Sequence, residues 1–522
     1  MRFALIVLLL TGCATPRFKD QAIVWRVDDA RAIPEPAERE FLVKRYMADV
    51  FVLRRIPRAM ELRPTRPAAN TNALDDVPDS TWFQNRIGVR PMAPAEAATG
   101  SSHSPPILPL VVTRGKTLGG NPGFFAVDAS GRTFLIKFDT LANPELQTSA
   151  SVIVNRFFWA IGFNVPSDHV VTIDPAEVRI QPYATVVDDA GYKRLLTVDD
   201  LQRILATAPR RADGLIRASA SEFLDGIPKG GFPPEGRRLD DPNDTVNHED
   251  RRELRGLYVF SSWLGHTDVK EDNTLDMYVT EGGRSFLKHY LLDFGEALGG
   301  HRAEKRRMED GYEHFWDWGA QTGALFSLGL WKRRWEDLKE TRWPSIGSFT
   351  AKYFDPKNWR EAYPYWPFFE RTDADGYWAA KIIMRFDRPI VEAIVREGRL
   401  TDPLAQTYLV DTLMARRELI GAAWFETVSP LDNPHFNGEQ LCLVDLSMRY
   451  RLATQGALEV LGADNKLVSR HTIDLDGRVC FDAVRPEYTV WRLRVVRGRH
   501  KRPVVQFHTL ANRVLGVVRV EQ

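Results

Sequence analysis

Apolar positions between residues 110 and 138 fall into three short runs, 110–113, 124–128 and 133–138, separated by Gly-rich turns. That pattern predicts three neighbouring β-strands. The period then changes. Ala150, Ile153, Val154, Phe157, Phe158 and Ile161 recur at the i, i+3, i+4, i+7 spacing of one helix face, Pro144 suits the first helical position, and Gly162 and Pro166 stop the helix. Another strand is expected at 169–173. A second helix is expected to open near Asn247, with acids in its first turn, and to bury Leu257, Phe260 and Leu264. Two β-type runs, 275–279 and 286–292, flank Glu281-Gly282-Gly283, a hairpin pattern that returns Asn273 and Asp293 to one end. Residues 301–425 read mostly as helices rich in aromatics. Beyond Gly438 the period is two: Cys442, Val444, Leu446, Met448 and Tyr450 alternate with Asp445, Ser447, Arg449 and Arg451, as Trp491, Leu493 and Val495 do with Arg492 and Arg494. A small antiparallel β domain of sandwich type is expected there.

The amino terminus follows a different logic. Arg2 precedes the apolar run 3–10, and small residues then lead to Cys13, which is the zoning of a secretion signal and too short to span a bilayer as a helix. Leu10-Thr11-Gly12-Cys13 resembles the lipobox of bacterial lipoproteins, which implies that Cys13 becomes the acylated first residue. Ala14, where an Asp would favour retention at the inner membrane, makes the outer membrane the expected address. Residues 91–106, rich in Pro, Ala and Ser, read as a linker or surface loop.

Composition narrows the function classes. Seventy Lys+Arg against 69 Asp+Glu leave a formal charge of +1 on 522 residues, so no net field draws nucleic acid. Three cysteines exclude a disulfide-dense scaffold and a four-Cys zinc site. Cys442 and Cys480 are candidates for one bridge, although Cys480 lies out of phase with Val479 and Phe481.

Chemistry concentrates in His266-Thr-Asp268-Val-Lys270-Glu-Asp-Asn273 and, twenty residues on, Asp293-Phe294-Gly295 at the end of an apolar strand. One amide oxygen and one carboxylate beside nucleotide phosphates suit Mg²⁺, Asp268 can orient or deprotonate a hydroxyl, and Lys270 can neutralise charge on a transferred phosphoryl group. These spacings resemble the protein-kinase-like superfamily, in which H-x-D-x-K-x-x-N forms the catalytic loop and DFG the magnesium motif. The resemblance implies Lys137 as the phosphate-contacting strand lysine, Gly119 and Gly120 as part of a phosphate-covering turn, and a supporting role for His266. Gly115-Lys116-Thr117 lacks the upstream glycine of a P-loop, since position 110 is Leu.

Two departures stand out. Ser151 and Asn155 occupy the middle of the helix where the family carries a Glu, leaving Glu145 as the candidate partner of Lys137 or else a favourable charge at the helix start. No Ala-Pro-Glu follows DFG, which makes the chain more similar to atypical kinases of the HipA or secretory-pathway type. The acids and His248 within 240–250 read as caps before a metal site, and the aromatic run 353–369 as core packing before a sugar platform. The expected fold is α+β: residues 1–12 a lipoprotein signal peptide, 13–106 an extension and linker, 107–228 and 229–428 the two kinase-like lobes, and 437–522 a sandwich-like domain. The expected function is ATP- and Mg²⁺-dependent transfer to a protein, sugar or lipid hydroxyl by a membrane-anchored enzyme. A silent pseudokinase acting as an envelope scaffold is the alternative.

Overall fold

The computed structural model describes residues 17–54, 66–101, 104–116, 121–188, 191–301, 304–305 and 309–519. Cys13, Gly119 and Gly120 lie outside them. The described residues fall into two compact units, one drawn from 26–70 and 77–425, the other from 1–25, 71–76 and 426–522.

The larger unit is mixed α/β. Its sheet has seven strands: β1 (Leu110–Lys116), β2 (Gly123–Val127), β3 (Thr133–Lys137), β4 (Asp168–Ile173), β5 (Val178–Val187), β6 (Lys193–Leu195) and β7 (Ile216–Glu222), in the order β4-β7-β3-β2-β1-β5-β6. One face carries Leu110, Val112, Phe124, Ala126, Phe134 and Ile136, all fully buried in one apolar cluster. Alternation puts Lys137 on the other face. A bulge between Val112 and Arg114 shifts β1, so that Lys116 lies opposite Gly123, which in turn lies opposite Lys137.

The helix Leu146–Ile161 packs every position of the expected apolar face, and Gly162, at φ 144°, ends it. It starts later than the expected Pro144, because Glu145 takes a left-handed conformation at φ 66°. Asp139 caps the helix from outside, accepting the amides of Gln147 and Thr148 at 2.8 and 3.0 Å. The second helix is Arg252–Leu264, not a helix from Asn247: His248–Asp250 form a separate tight turn and Arg251 is extended. Gly265, left-handed at φ 61°, closes it and releases the chain into the loop 266–273. Two strands follow, paired antiparallel at Thr274–Glu281 and Arg284–Leu291 through Gly282 and Gly283, both at positive φ as a two-residue hairpin turn requires. Helices Asp373–Ile383, Arg388–Glu397 and Pro403–Phe425 build the rest, whereas 338–365 is irregular and not helical as expected. Trp359, Tyr365 and Phe368 of the aromatic run are buried packing residues. Within the stretch read as a linker, Pro94–Thr99 is helical and buries Ala97.

In the second unit Leu431–Asn437, Gln440–Asp445 and Arg478–Asp482 make a three-stranded sheet, and a larger antiparallel sheet centres on Arg485–Arg497. Side chains from both sheets meet in one cluster that includes Leu441, Leu443, Phe481, Leu493 and Val495. The core face is therefore 441/443, opposite to the phase read from the sequence. That parity sets Cys442 directly across from Cys480, and the two are disulfide-bonded. The alternation also stops early: Asp445 caps a short helical turn, Leu446–Arg449, by accepting the Met448 amide at 3.1 Å.

Candidate functional site

The site is assembled where β3, the loop 266–273 and the end of the hairpin converge. Lys137 is the last residue of β3, and its ammonium lies 2.8 Å from Asp293 Oδ1. The amide of Leu292 donates to the carbonyl of Asn273 at 2.9 Å, which brings the two expected metal ligands to the same end of the hairpin. Asp293 adopts a left-handed backbone at φ 55°, a conformation that Asp tolerates better than most residues. Burial works to raise its carboxyl, but Lys137, then Lys270 and Lys116, override this and bring it down to about 2. Its side chain keeps 47 % of its surface open, so it is an ionised carboxylate accessible to a cation from one side.

Phe294 fixes that turn. It is buried, stacks on Phe158 of the Leu146–Ile161 helix with ring centroids 5.2 Å apart, and approaches His266 at 5.8 Å. His266 itself is buried, which lowers its pKa, and its Nδ1 lies 3.3 Å from the carbonyl of Glu296. It holds the loop and is not exposed for chemistry.

Asp268 is gripped twice. Lys270 Nζ donates to its two carboxylate oxygens at 2.7 and 2.8 Å, and the Asn273 amide nitrogen donates to its Oδ2 at 2.8 Å and its carbonyl at 2.7 Å. With the nitrogen so committed, the group Asn273 can offer a cation is its carbonyl oxygen. Burial works to lower the Lys270 ammonium, yet the Asp268 carboxylate beside it holds the ammonium above its usual pKa. Glu296, just past the DFG residues, is pushed up by burial and by the neighbouring Asp268 carboxylate. An amide oxygen, an ionised carboxylate and nearby lysines fit Mg²⁺ bound with a polyphosphate, the metal keeping waters for its other positions. Among the described residues, no group of three or more His, Cys, Asp or Glu has the arrangement of a metal site. The acids before Arg252–Leu264 are engaged in structure: His248 Nε2 lies 2.9 Å from Asp244 Oδ2, and Arg251 pairs with Asp244 Oδ1 at 2.9 Å.

Glu145 is not beside Lys137. Its carboxylate accepts the amide of Thr401 at 3.0 Å. In the middle of the helix, Asn155 donates to the carbonyl of Pro166 at 2.9 Å and Ser151 to Asp168 Oδ2 at 3.2 Å. Asp168, on β4, is buried, and burial raises it to about 6 against a hydrogen bond from Ser221 and the opposing charges of Arg156 and Lys137.

Sequence reasoning assigned no chemistry to residues 26–54, which reach the loop directly. Arg39 pairs with Glu271 at 3.2 Å, and Tyr46, Val50 and Phe51 pack with Phe315 and Tyr363, the ring that lies 5.2 Å beneath Lys270 Nζ. The signal was present as the apolar spacing Tyr46, Val50, Phe51, but nothing local told what it would cover.

No protein-family model matches the chain, and no curated protein matches it either. Among solved structures it is similar to a Golgi casein kinase with Mn/ADP bound, at a TM-score of 0.28 and 10 % identity over 61 % of this chain and 72 % of that one. A second structure of the Golgi casein kinase gives a TM-score of 0.22 at 10 % identity, with the same coverage. Scores this low decide nothing about fold or activity. Those rest on the residues and distances above.

Proposed function

We propose that the chain is an atypical, kinase-like phosphotransferase with a two-lobed catalytic unit, using ATP and Mg²⁺ to modify a hydroxyl of a protein, sugar or lipid acceptor. The observation that carries this reading is the Lys137–Asp293 pair, which joins the end of a strand to the DFG turn beside Asp268 and Asn273. In the reaction the acceptor oxygen attacks the terminal phosphorus, the bond to the ADP leaving group breaks, and the hydroxyl proton passes to Asp268. Lys270 and Asn273 hold the Asp268 carboxylate in place for that transfer, and Lys270 offsets negative charge on the moving group. Asn273 and Asp293 would hold Mg²⁺, which supplies charge neutralisation at the phosphates. Lys137 exchanges part of its contact with Asp293 for phosphate oxygens.

A silent pseudokinase serving as an envelope scaffold is the rival reading. It draws support from Ser151 and Asn155, which stand where a kinase helix carries its Glu, and from the scarcity of ATP outside the cytoplasm. Thermal unfolding of the mature protein separates the two. A rise in melting temperature that requires both ATP and Mg²⁺ is expected, and no Mg²⁺-dependent rise with ATP or another nucleotide removes the catalytic reading.

The membrane address is part of the same proposal. Acylation of Cys13 supplies the two chains that stable anchoring needs, with the outer membrane as the site. Cys13→Ser is expected to release the protein from the membrane fraction, and a protein that stays wholly membrane-bound overturns the anchor.

A further inference from the structure

We infer that Lys116 is a second phosphate-binding cation of this site, closing with Lys137 on a polyphosphate from the two sides of Gly123. The inference rests on the nucleotide-dependent reading above and adds a residue that neither the catalytic-loop spacing nor the DFG residues point to. In sequence Lys116 belongs to an incomplete P-loop pattern and has no evident role.

The placement comes from strand register. Lys116 on β1 faces Gly123 on β2, and Gly123 faces Lys137 on β3. Residues directly opposite one another point to the same side of a sheet, so both lysines rise from one face, two strand spacings or about 10 Å apart at the backbone. Between them is a position that must lack a side chain. A Cβ on Gly123 would stand 2.1 Å from the carbonyl oxygen of Ile136. The row therefore presents a bare backbone flanked by two long, flexible cations, a shape that suits an extended anion.

Charge points the same way. Lys137 has Asp293 and Lys270 has Asp268, whereas Lys116 Nζ donates to a neutral carbonyl, that of Asn121 at 2.8 Å. Burial and the like charge of Lys137 lower Lys116 to about 8, with Asp293 acting in the other direction. Two ammonium groups held within each other's field, one of them paired with no carboxylate among the described residues, gain most from a ligand carrying several negative charges. Nucleoside di- and triphosphates and free polyphosphate share that chemistry.

Calorimetric titration with Mg·ADP, adenosine and Mg·tripolyphosphate distinguishes these sources. Lys116→Gln is expected to bind Mg·ADP about ten- to a hundredfold more weakly, the loss of one charge-assisted contact, while adenosine affinity stays at the wild-type value and the ligand-free melting temperature does not fall. Lys116→Arg, which keeps the charge, should recover most of the affinity and guards against a folding defect in the first variant. If wild type binds Mg·ADP and Lys116→Gln binds it equally well, this inference falls and the proposed function stands. If wild type ignores Mg·ADP but takes tripolyphosphate in a Lys116-dependent way, the nucleotide reading falls and Lys116 stands. Binding of neither phosphate ligand overturns both.

Discussion

Two lysine–aspartate pairs lie in this site with nearly the same separation, and they differ in everything else. Lys270 and Asp268 are two residues apart on one loop, Asp268 exposes 7 % of its side chain, and Asn273 fastens it a second time. Lys137 and Asp293 come from distant parts of the chain, and Asp293 leaves 47 % of its side chain open. The local pair is closed by short-range geometry, so a ligand has little to displace there. The remote pair exists only once sheet and hairpin have come together, and its open carboxylate is where a cation can enter. Under the proposed function the pairs have different work: one orients a base, the other exchanges partners when Mg²⁺ and nucleotide arrive.

Substitutions in the two pairs should accordingly fail in different ways. The largest effect is expected for Asp268→Asn, which keeps the shape of the loop and removes the proton acceptor. Phosphoryl transfer should fall by about 10²- to 10⁴-fold with the Mg·ATP-induced melting rise intact, because the base acts on the acceptor and not on the nucleotide. A variant that loses nucleotide binding as well would erase the division of labour. Next comes Asp293→Ala. It should melt somewhat below wild type without ligand, since the carboxylate that Lys137 holds down to about 2 is gone, and should in addition lose the stabilisation of about 2.7 kcal/mol that wild type gains when Mg·ATP is present at a hundred times its Kd. Retention of that gain would mean that the remote pair is an ordinary salt bridge.

Much of this was legible because it is local. The apolar spacing of 150–161, the alternation of β1 to β3 and the two glycines of the hairpin are properties of short windows, and the structure places those elements within a few residues of the expected positions. The candidate residues of the loop could be singled out for the same reason, being packed into eight consecutive positions. What failed depended on register or on a distant partner. Glu145 was read as a candidate partner for Lys137, but its amide is held by Asp139 at 2.9 Å and its carboxylate by Thr401, and neither contact has a trace in the local sequence. Lys116 gains its neighbours from a bulge that moves β1 by one residue. The inverted phase at Cys442 arose because alternation was counted through Leu446–Arg449, where the chain turns helical after an Asp cap. Residues 26–54 pack on a loop more than two hundred positions away, beyond the reach of any periodicity.

The smallest effect expected concerns a third aspartate, which tests how the field of Lys137 is shared. Asp168 and Lys137 rise on the same sheet face, since Asp168 lies opposite Ser221 and Lys137 opposite Ser219 two residues along β7. Yet Asp168 sits near 6 where Asp293 sits near 2. Burial outweighs the cations for Asp168, and the short contact with Lys137 outweighs burial for Asp293. An aspartate raised in the folded state binds its proton more tightly there than when unfolded, so stability falls as pH climbs from the unfolded value of 3.8 to about 6 and stays lowered above it. Asp168→Asn removes the charge and should therefore stabilise the protein by about 1–3 kcal/mol at pH 8 and by almost nothing at pH 4. The comparison sharpens in the double variant. Without Asp293 the Lys137 ammonium is free to turn to Asp168, whose carboxylate then becomes useful, and Asp168→Asn on the Asp293→Ala background should destabilise at pH 8. Denaturant titrations of the four proteins at the two pH values measure both signs, and an unchanged gain in the double variant would show that Lys137 serves Asp293 alone.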